Sequence, residues 1–214
     1  MPRLPRILLP QSYYHIIARG NNKHQIFNVS DDYQYYLDLI IKYKPDHPFD
    51  LYHYCLMPNH IHLLIQTSLT PQFSTFMKRL NLAYYHHFRI KYGWVGYFWQ
   101  GRFKSQAIGK DSYFIQAGKY IELNPVRANL AQCPSDYVWS SYRYYAKGSS
   151  NKLITNDLFY EGLGSNPAKR QIAYRKLFID ELVLQSYDKN VWGSPTQRYR
   201  EHLKIVRKLK KQNV

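Results

Sequence analysis

At 214 residues, with 45% of them hydrophobic, the chain is long enough to bury one full core and leave room for a smaller appendage. Thirty Lys and Arg against fourteen Asp and Glu give a formal charge of +16, far more than solubility asks, and this points to a polyanionic partner, nucleic acid first. A membrane role is set aside and a cytoplasmic location expected, because no run has the length of a spanning helix and the apolar stretch Ile7 to Leu9 is too short for a signal peptide; Cys55 and Cys133 make neither a disulfide framework nor a CxxC zinc site.

Tyr13 to Arg19 reads as a first strand, stopped by the turn residues Gly20-Asn21-Asn22. Ser30 or Asp31 can cap a helix whose Tyr33, Tyr36, Leu37, Ile40 and Ile41 share one face, and Pro45 closes it. Phe49 to Leu56 and His60 to Gln66 read as an antiparallel hairpin joined by Met57-Pro58-Asn59. Helical spacing returns at Phe73, Phe76, Met77, Leu80, Tyr84 and Phe88, up to Gly93. Tyr97 to Ile108 resembles another strand, with Arg102, Lys104 and Gln106 alternating against Phe103, Ser105 and Ala107. Asp111 or Ser112 opens a last core helix through Tyr113, Ile115, Ala117, Tyr120 and Ile121, which Asn124-Pro125 is expected to end.

The order βαββαβα predicts an α+β fold, a ferredoxin-like sandwich whose central antiparallel sheet carries its helices on one face. From about Lys147 to Pro167 the chain turns rich in Gly, Ser and Asn, and the helical pattern beyond it ends in Lys204, Arg207, Lys208, Lys210 and Lys211. Residues 1–146 are therefore expected to form the main domain, and 147–214 a linker and helical basic extension.

Side chains alternate along a strand, so His60, His62, Leu64 and Gln66 share one side, expected to face outward, while Ile61, Leu63 and Ile65 share the other and pack on the helices. Two neutral imidazoles so placed can share one divalent cation, though an isolated HxH is more often a pair of half-buried strand histidines. On the last core helix Tyr113, Ala117, Tyr120 and Asn124 form one stripe. A tyrosine hydroxyl can attack a phosphodiester when a metal neutralises the charge that builds on the phosphate, and an Asn amide oxygen is a possible third ligand. Read from spacing alone, Tyr120 packing in the core and Asn124 ending a helix remain open.

Met57-Pro58-Asn59-His60-Ile61-His62-Leu63-Leu64, Phe98-Trp99-Gln100-Gly101-Arg102-Phe103 and Tyr120-Ile121-Glu122-Leu123-Asn124-Pro125-Val126-Arg127-Ala128 together resemble the single-tyrosine HUH transposases. With Arg19-Gly20-Asn21 and Trp139-Ser140-Ser141-Tyr142 added, the pattern is most similar to the REP-associated tyrosine transposases over about residues 10 to 145. The resemblance implies a metal-dependent endonuclease and strand transferase acting on single-stranded DNA beside palindromic hairpins, with Mg²⁺ or Mn²⁺ as its cofactor. It implies that Tyr120 forms a 5′-phosphotyrosine, with Tyr113 as runner-up, and that His60, His62 and Asn124 hold the metal. Members of the superfamily act as monomers or as dimers in which the tyrosine helix serves the partner's histidines; both stay open for this chain.

Arg19, Lys23, Arg102 and Lys104 flank strand ends near the motif strand and are candidates to hold phosphates, while Phe98 and Trp99 are candidates to stack on bases. Two other functions compete: a catalytically idle nucleic-acid-binding regulator on the same fold, and a hydrolase that uses HxH with water and forms no protein adduct.

Overall fold

The computed structural model describes residues 8–68, 72–108, 112–156 and 158–179, without the side chains of residues 112, 113, 158 and 179. Strand β1 (Tyr13–Arg19), helix α1 (Ser30–Tyr43), the hairpin β2 (Phe49–Met57) and β3 (His60–Thr67), α2 (Phe73–Tyr92), β4 (Lys104–Ile108) and α3 (Ser112–Arg127) follow in the expected order. They are succeeded by α4 (Tyr142–Lys147), α5 (Leu158–Gly162) and α6 (Pro167–Ile179). The basic cluster from Lys204 to Lys211 and the expected cap Asp111 lie outside the described residues.

The sheet runs β2-β3-β1-β4 with every neighbour antiparallel, the α+β arrangement expected. Helices, however, occupy both faces. Tyr14, Ile16, Ile61, Leu63 and Ile65 pack with α1 and α2 residues such as Tyr36, Ile40, Phe76, Leu80 and Tyr84. The opposite face, which carries the motif histidines, packs Cys55, Leu64 and Ile108 against Phe114, Ala117 and Ile121 of α3. The His side of β3, expected to face outward, is instead covered by α3, so that His62 and Leu64 are buried; alternation separates the two faces of a strand but does not tell whether the second meets solvent or a helix.

Two boundaries also differ from expectation. Strand pairing in β4 starts only at Lys104, because Gly96 (φ 96°) and Gly101 (φ 72°) turn the chain through conformations that break a strand. Within that segment Trp99 forms only a lone bridge to Gly20. Helix α3 does not stop at Asn124 but runs through Pro125 to Arg127. Proline removes the N–H that would bond the Ile121 carbonyl. The Asn124 side-chain amide donates to the Tyr120 carbonyl at 2.8 Å and reaches the Ile121 carbonyl at 3.4 Å, partly replacing what proline withholds. The Ala128 amide then bonds the Asn124 carbonyl at 3.0 Å, so the helical pattern continues past the proline.

The β2 edge is covered by the segment after α3. The Leu56 amide bonds Trp139 O, the Ser141 amide bonds Tyr54 O, and Trp139 stacks on Tyr33 at 4.8 Å. Among the described residues no helix is long and apolar enough to cross a membrane.

Candidate active site

Three motifs distant in sequence meet at one end of the sheet. The Gly20 amide donates to Asn59 O, the Ile26 and Phe27 amides to Pro58 O, the Asn21 amide to Phe98 O, and the Gln100 amide to Arg19 O. Gly20 is required there, since a Cβ would sit 2.5 Å from the His24 carbonyl oxygen. This clamp fixes the turn from which β3 begins, and so the position of His60.

On the α3 side of the sheet, the rings of His60 and His62 lie 4.7 Å apart. Pairing of Ile17 with His62 and of Arg19 with His60 adds a third imidazole to the same face, His15, whose Nε2 is 2.8 Å from His62 Nδ1. A hydrogen bond there admits two tautomers. If His62 Nδ1–H donates to His15, the His62 Nε2 keeps a lone pair, and that nitrogen is buried with no hydrogen-bond partner. His60 is oriented in the same manner: its Nδ1 lies 2.5 Å from Asn59 Oδ1, which can only accept, so Nε2 is the nitrogen left for a ligand.

Sequence reasoning missed His15 and Asn59 as orienting groups. Asn59 was visible as part of the Met57-Pro58-Asn59-His60 turn. His15 was not, because its importance depends on the register between β1 and β3.

Burial keeps these rings neutral. Desolvation, then the charge on His60, takes the His15 pKa down to about 4, and desolvation with the nearby Arg19 takes His60 down to about 4. His62 is lowered as well, first by burial, then by His15, His60 and Arg19. A depressed imidazole pKa means that the unfolded chain binds the proton more tightly. The associated stability is therefore complete above pH 6.5 and is lost as pH falls toward 4. In chelator-treated protein, the unfolding free energy is expected to fall across that window by an amount on the order of 3 kcal/mol for each of His15 and His60, and the thermal midpoint to drop with it. A midpoint that is level from pH 7 to 4 would contradict this.

Tyr120 of α3 faces the histidines of its own chain, its ring centroid 5.8 Å from those of both His15 and His62. The Arg127 guanidinium lies 5.2 Å from the same ring, a position it reaches only because α3 continues past Pro125. The side chain of the runner-up, Tyr113, lies outside the described residues. Asn124 is one turn beyond Tyr120 and half-buried. With its amide nitrogen engaged on helix carbonyls, its Oδ1 is the atom left to act as a ligand. Among the described residues no group of three His, Cys, Asp or Glu side chains is arranged to hold a metal ion. The ligand set expected from the resemblance, two imidazole nitrogens and an amide oxygen, has only two side chains of those kinds.

The cationic candidates divide by position. Arg19 pairs across from His60, and Lys104 pairs with Ile17 on the same face, exposed. Lys23 is exposed in the clamp loop, its carbonyl accepting from the Asn59 amide. Arg102 lines a groove of about 760 Å³ between α2 and the loop that leads from it to β4, together with Lys78, Tyr85, Tyr97 and Trp99. Tyr97 is 86% exposed there, while Trp99 is anchored by its indole N–H to the Asn81 carbonyl.

Phe98 does not fit the base-stacking role. It is 3% exposed, and its ring packs on Phe88 at 4.7 Å, His24 at 4.9 Å and Trp99 at 5.0 Å. Its aromatic character serves the core, so Phe98→Ala is expected to cost about 3–5 kcal/mol of stability in denaturant unfolding. A variant as stable as the parent would return Phe98 to the surface.

Comparison with known proteins agrees with this architecture. The family model described as "Transposase IS200 like" matches residues 9–124, more than half of the chain. A REP-associated tyrosine transposase of Escherichia coli (strain K12) is 25% identical over 139 residues, covering 64% of this chain and 80% of that protein. The solved structure of a REP-associated tyrosine transposase bound to a REP hairpin superposes with a TM-score of 0.59 at 22% identity, over 74% of this chain and 93% of the other, and so shares its fold. The match extends from β1 into α3 as far as Asn124 and takes in all four strands of the sheet; the chain belongs to the IS200-like transposase family.

Proposed function

We propose that this protein is a metal-dependent endonuclease and strand transferase that cleaves single-stranded DNA beside a hairpin, with Tyr120 as nucleophile. The observation that carries the reading is the approach of the Tyr120 ring to His62 and His15 within one chain, on the sheet face that also bears His60. That arrangement supports a tyrosine acting in cis.

In the forward step the Tyr120 hydroxyl attacks the scissile phosphorus and loses its proton. The bond from phosphorus to the 3′-oxygen breaks, and that oxygen takes up a proton, leaving a 5′-phosphotyrosine and a free 3′-OH. Rejoining reverses the roles: a 3′-OH attacks, and the tyrosine oxygen leaves. One phosphoester bond is exchanged for another, so no external energy source is needed. His60 Nε2, His62 Nε2 and Asn124 Oδ1 would hold Mg²⁺ or Mn²⁺, which supplies neutralisation of the charge developing on the phosphate. Asn59 Oδ1 selects the His60 tautomer this requires, and His15, in the tautomer whose Nε2 accepts, would do the same for His62. Arg19 and Lys104, on the same face, would bind the flanking phosphates.

A hairpin-forming partner is supported by the solved relative, which is bound to a REP hairpin. The test is incubation of a hairpin-bearing single-stranded oligonucleotide with the protein and Mn²⁺. Cleavage and a protein–DNA adduct are expected, both lost with chelator, with affinity falling on log salt at a slope of about −0.7 per phosphate neutralised. Binding without cleavage would make the protein a regulator, and cleavage without an adduct would make it a water-using hydrolase.

A further inference from the structure

Glu122 follows Tyr120 by two residues and therefore points about 200° away from it around α3, out of the site. It is fully buried, and three donors converge on its carboxyl group. His53 Nδ1 lies 2.9 Å from Oε1, the Ser141 hydroxyl donates to Oε1 at 2.5 Å, and the Tyr174 hydroxyl donates to Oε2 at 2.8 Å. These donors come from three elements: β2, the start of α4, and α6. A buried carboxyl group would be costly without such partners, and with them it becomes a fixed point.

The same fixed point grips the α3 backbone. A Cβ on Gly118 would lie 2.8 Å from His53 Nε2, so the helix sits directly on the imidazole that donates to Glu122. Ser141 is held in turn by β2: its amide bonds Tyr54 O, and its hydroxyl accepts from the Tyr54 amide. Tyr174 is braced by the ring of Tyr145, stacked at 5.1 Å, whose own hydroxyl donates to Tyr52 O. Both Ser141 and Tyr174 lie beyond residue 124, where the family match ends.

Resting on the reading of Tyr120 as nucleophile, we propose that Glu122 is a positioning residue for it and that α6, through Tyr174, forms part of the mount of the tyrosine helix. The stakes are set by leverage. A rotation of α3 by about 20° would carry a phenol oxygen, about 8 Å from the helix axis, through roughly 3 Å. Misplacement of a reacting group by about 1 Å can cost about a hundredfold in rate. Glu122, gripped from three directions, opposes that rotation. The helical extension thereby serves chemistry from outside the active site.

The experiment is single-turnover adduct formation by the full chain on a labelled hairpin oligonucleotide with Mn²⁺, comparing Glu122→Gln, Tyr174→Phe, the double variant and Tyr144→Phe. Tyr144 donates to Asn156 at the exposed side of the same tyrosine cluster and does not touch Glu122. The rate constant is expected to fall about tenfold in Tyr174→Phe and about a hundredfold in Glu122→Gln, with hairpin affinity and final adduct yield unchanged. The double variant should be no slower than Glu122→Gln, because both changes break one linkage. Tyr144→Phe should match the parent.

A loss of folded protein alone would lower the yield and leave the rate constant of the remainder intact; that result, or parental rate constants in both variants, overturns the positioning role. No adduct in the parent, or one that survives Tyr120→Phe, overturns the nucleophile reading instead.

Discussion

Tyr120→Phe is expected to reduce the covalent protein–DNA adduct below detection while hairpin affinity stays within about twofold of the parent. The substitution removes one oxygen and keeps the ring that packs against His15 and His62, so the sheet face and the α3 packing survive. What is lost is the only atom of that side chain able to form a bond to phosphorus. Denaturing gel electrophoresis of a labelled oligonucleotide reads the adduct directly, and a filter or anisotropy assay reads affinity. An adduct of parental yield in this variant would move the nucleophile to Tyr113. A simultaneous collapse of affinity would mean that Tyr120 acts in binding rather than in chemistry.

The second large effect is expected at the histidines. His62→Ala removes a nitrogen donor, and Mn²⁺-dependent cleavage should fall at least about a thousandfold at fixed metal concentration. His15→Gln should be milder and different in kind. It leaves the ligands in place but alters the group that selects the His62 tautomer at 2.8 Å, so Mn²⁺ affinity should weaken about 10–100-fold, with much of the rate restored by more metal. Cleavage measured against Mn²⁺ concentration separates the two cases. Equal and metal-insensitive losses in both variants would show that His15 is not an orienting group.

Much of the fold could be read from local pattern. The alternation His60, His62, Leu64 against Ile61, Leu63, Ile65 fixed the two faces of β3, and the spacing of Phe73, Phe76, Leu80 and Tyr84 marked the buried side of α2; both appear as expected. What escaped was non-local. His15 sits in an ordinary strand pattern, and only the β1–β3 register brings it to His62. The passage of α3 through Pro125 depends on an Asn124 side chain folding back to carbonyls one turn earlier, which no propensity encodes. Phe98 looked available to a base because an aromatic beside Trp99 and Arg102 has the same appearance in a sequence whether it faces DNA or the core. Glu122 was read as one letter of a motif, and its burial against α6 required the tertiary structure.

The clamp around Gly20 has a consequence for how a substrate is met. Residues 20–27 contain no strand, yet the amides of Gly20, Asn21, Ile26 and Phe27 all donate to main-chain carbonyls of other segments. A loop pinned at both ends has no slack with which to wrap a ligand. On the proposed reading, the deformation needed for a close fit at this end of the sheet would come from the nucleic acid, and the energetic penalty is smallest for a strand whose bases are already unpaired. Discrimination against intact duplex can thus arise from stiffness alone, before any base is read.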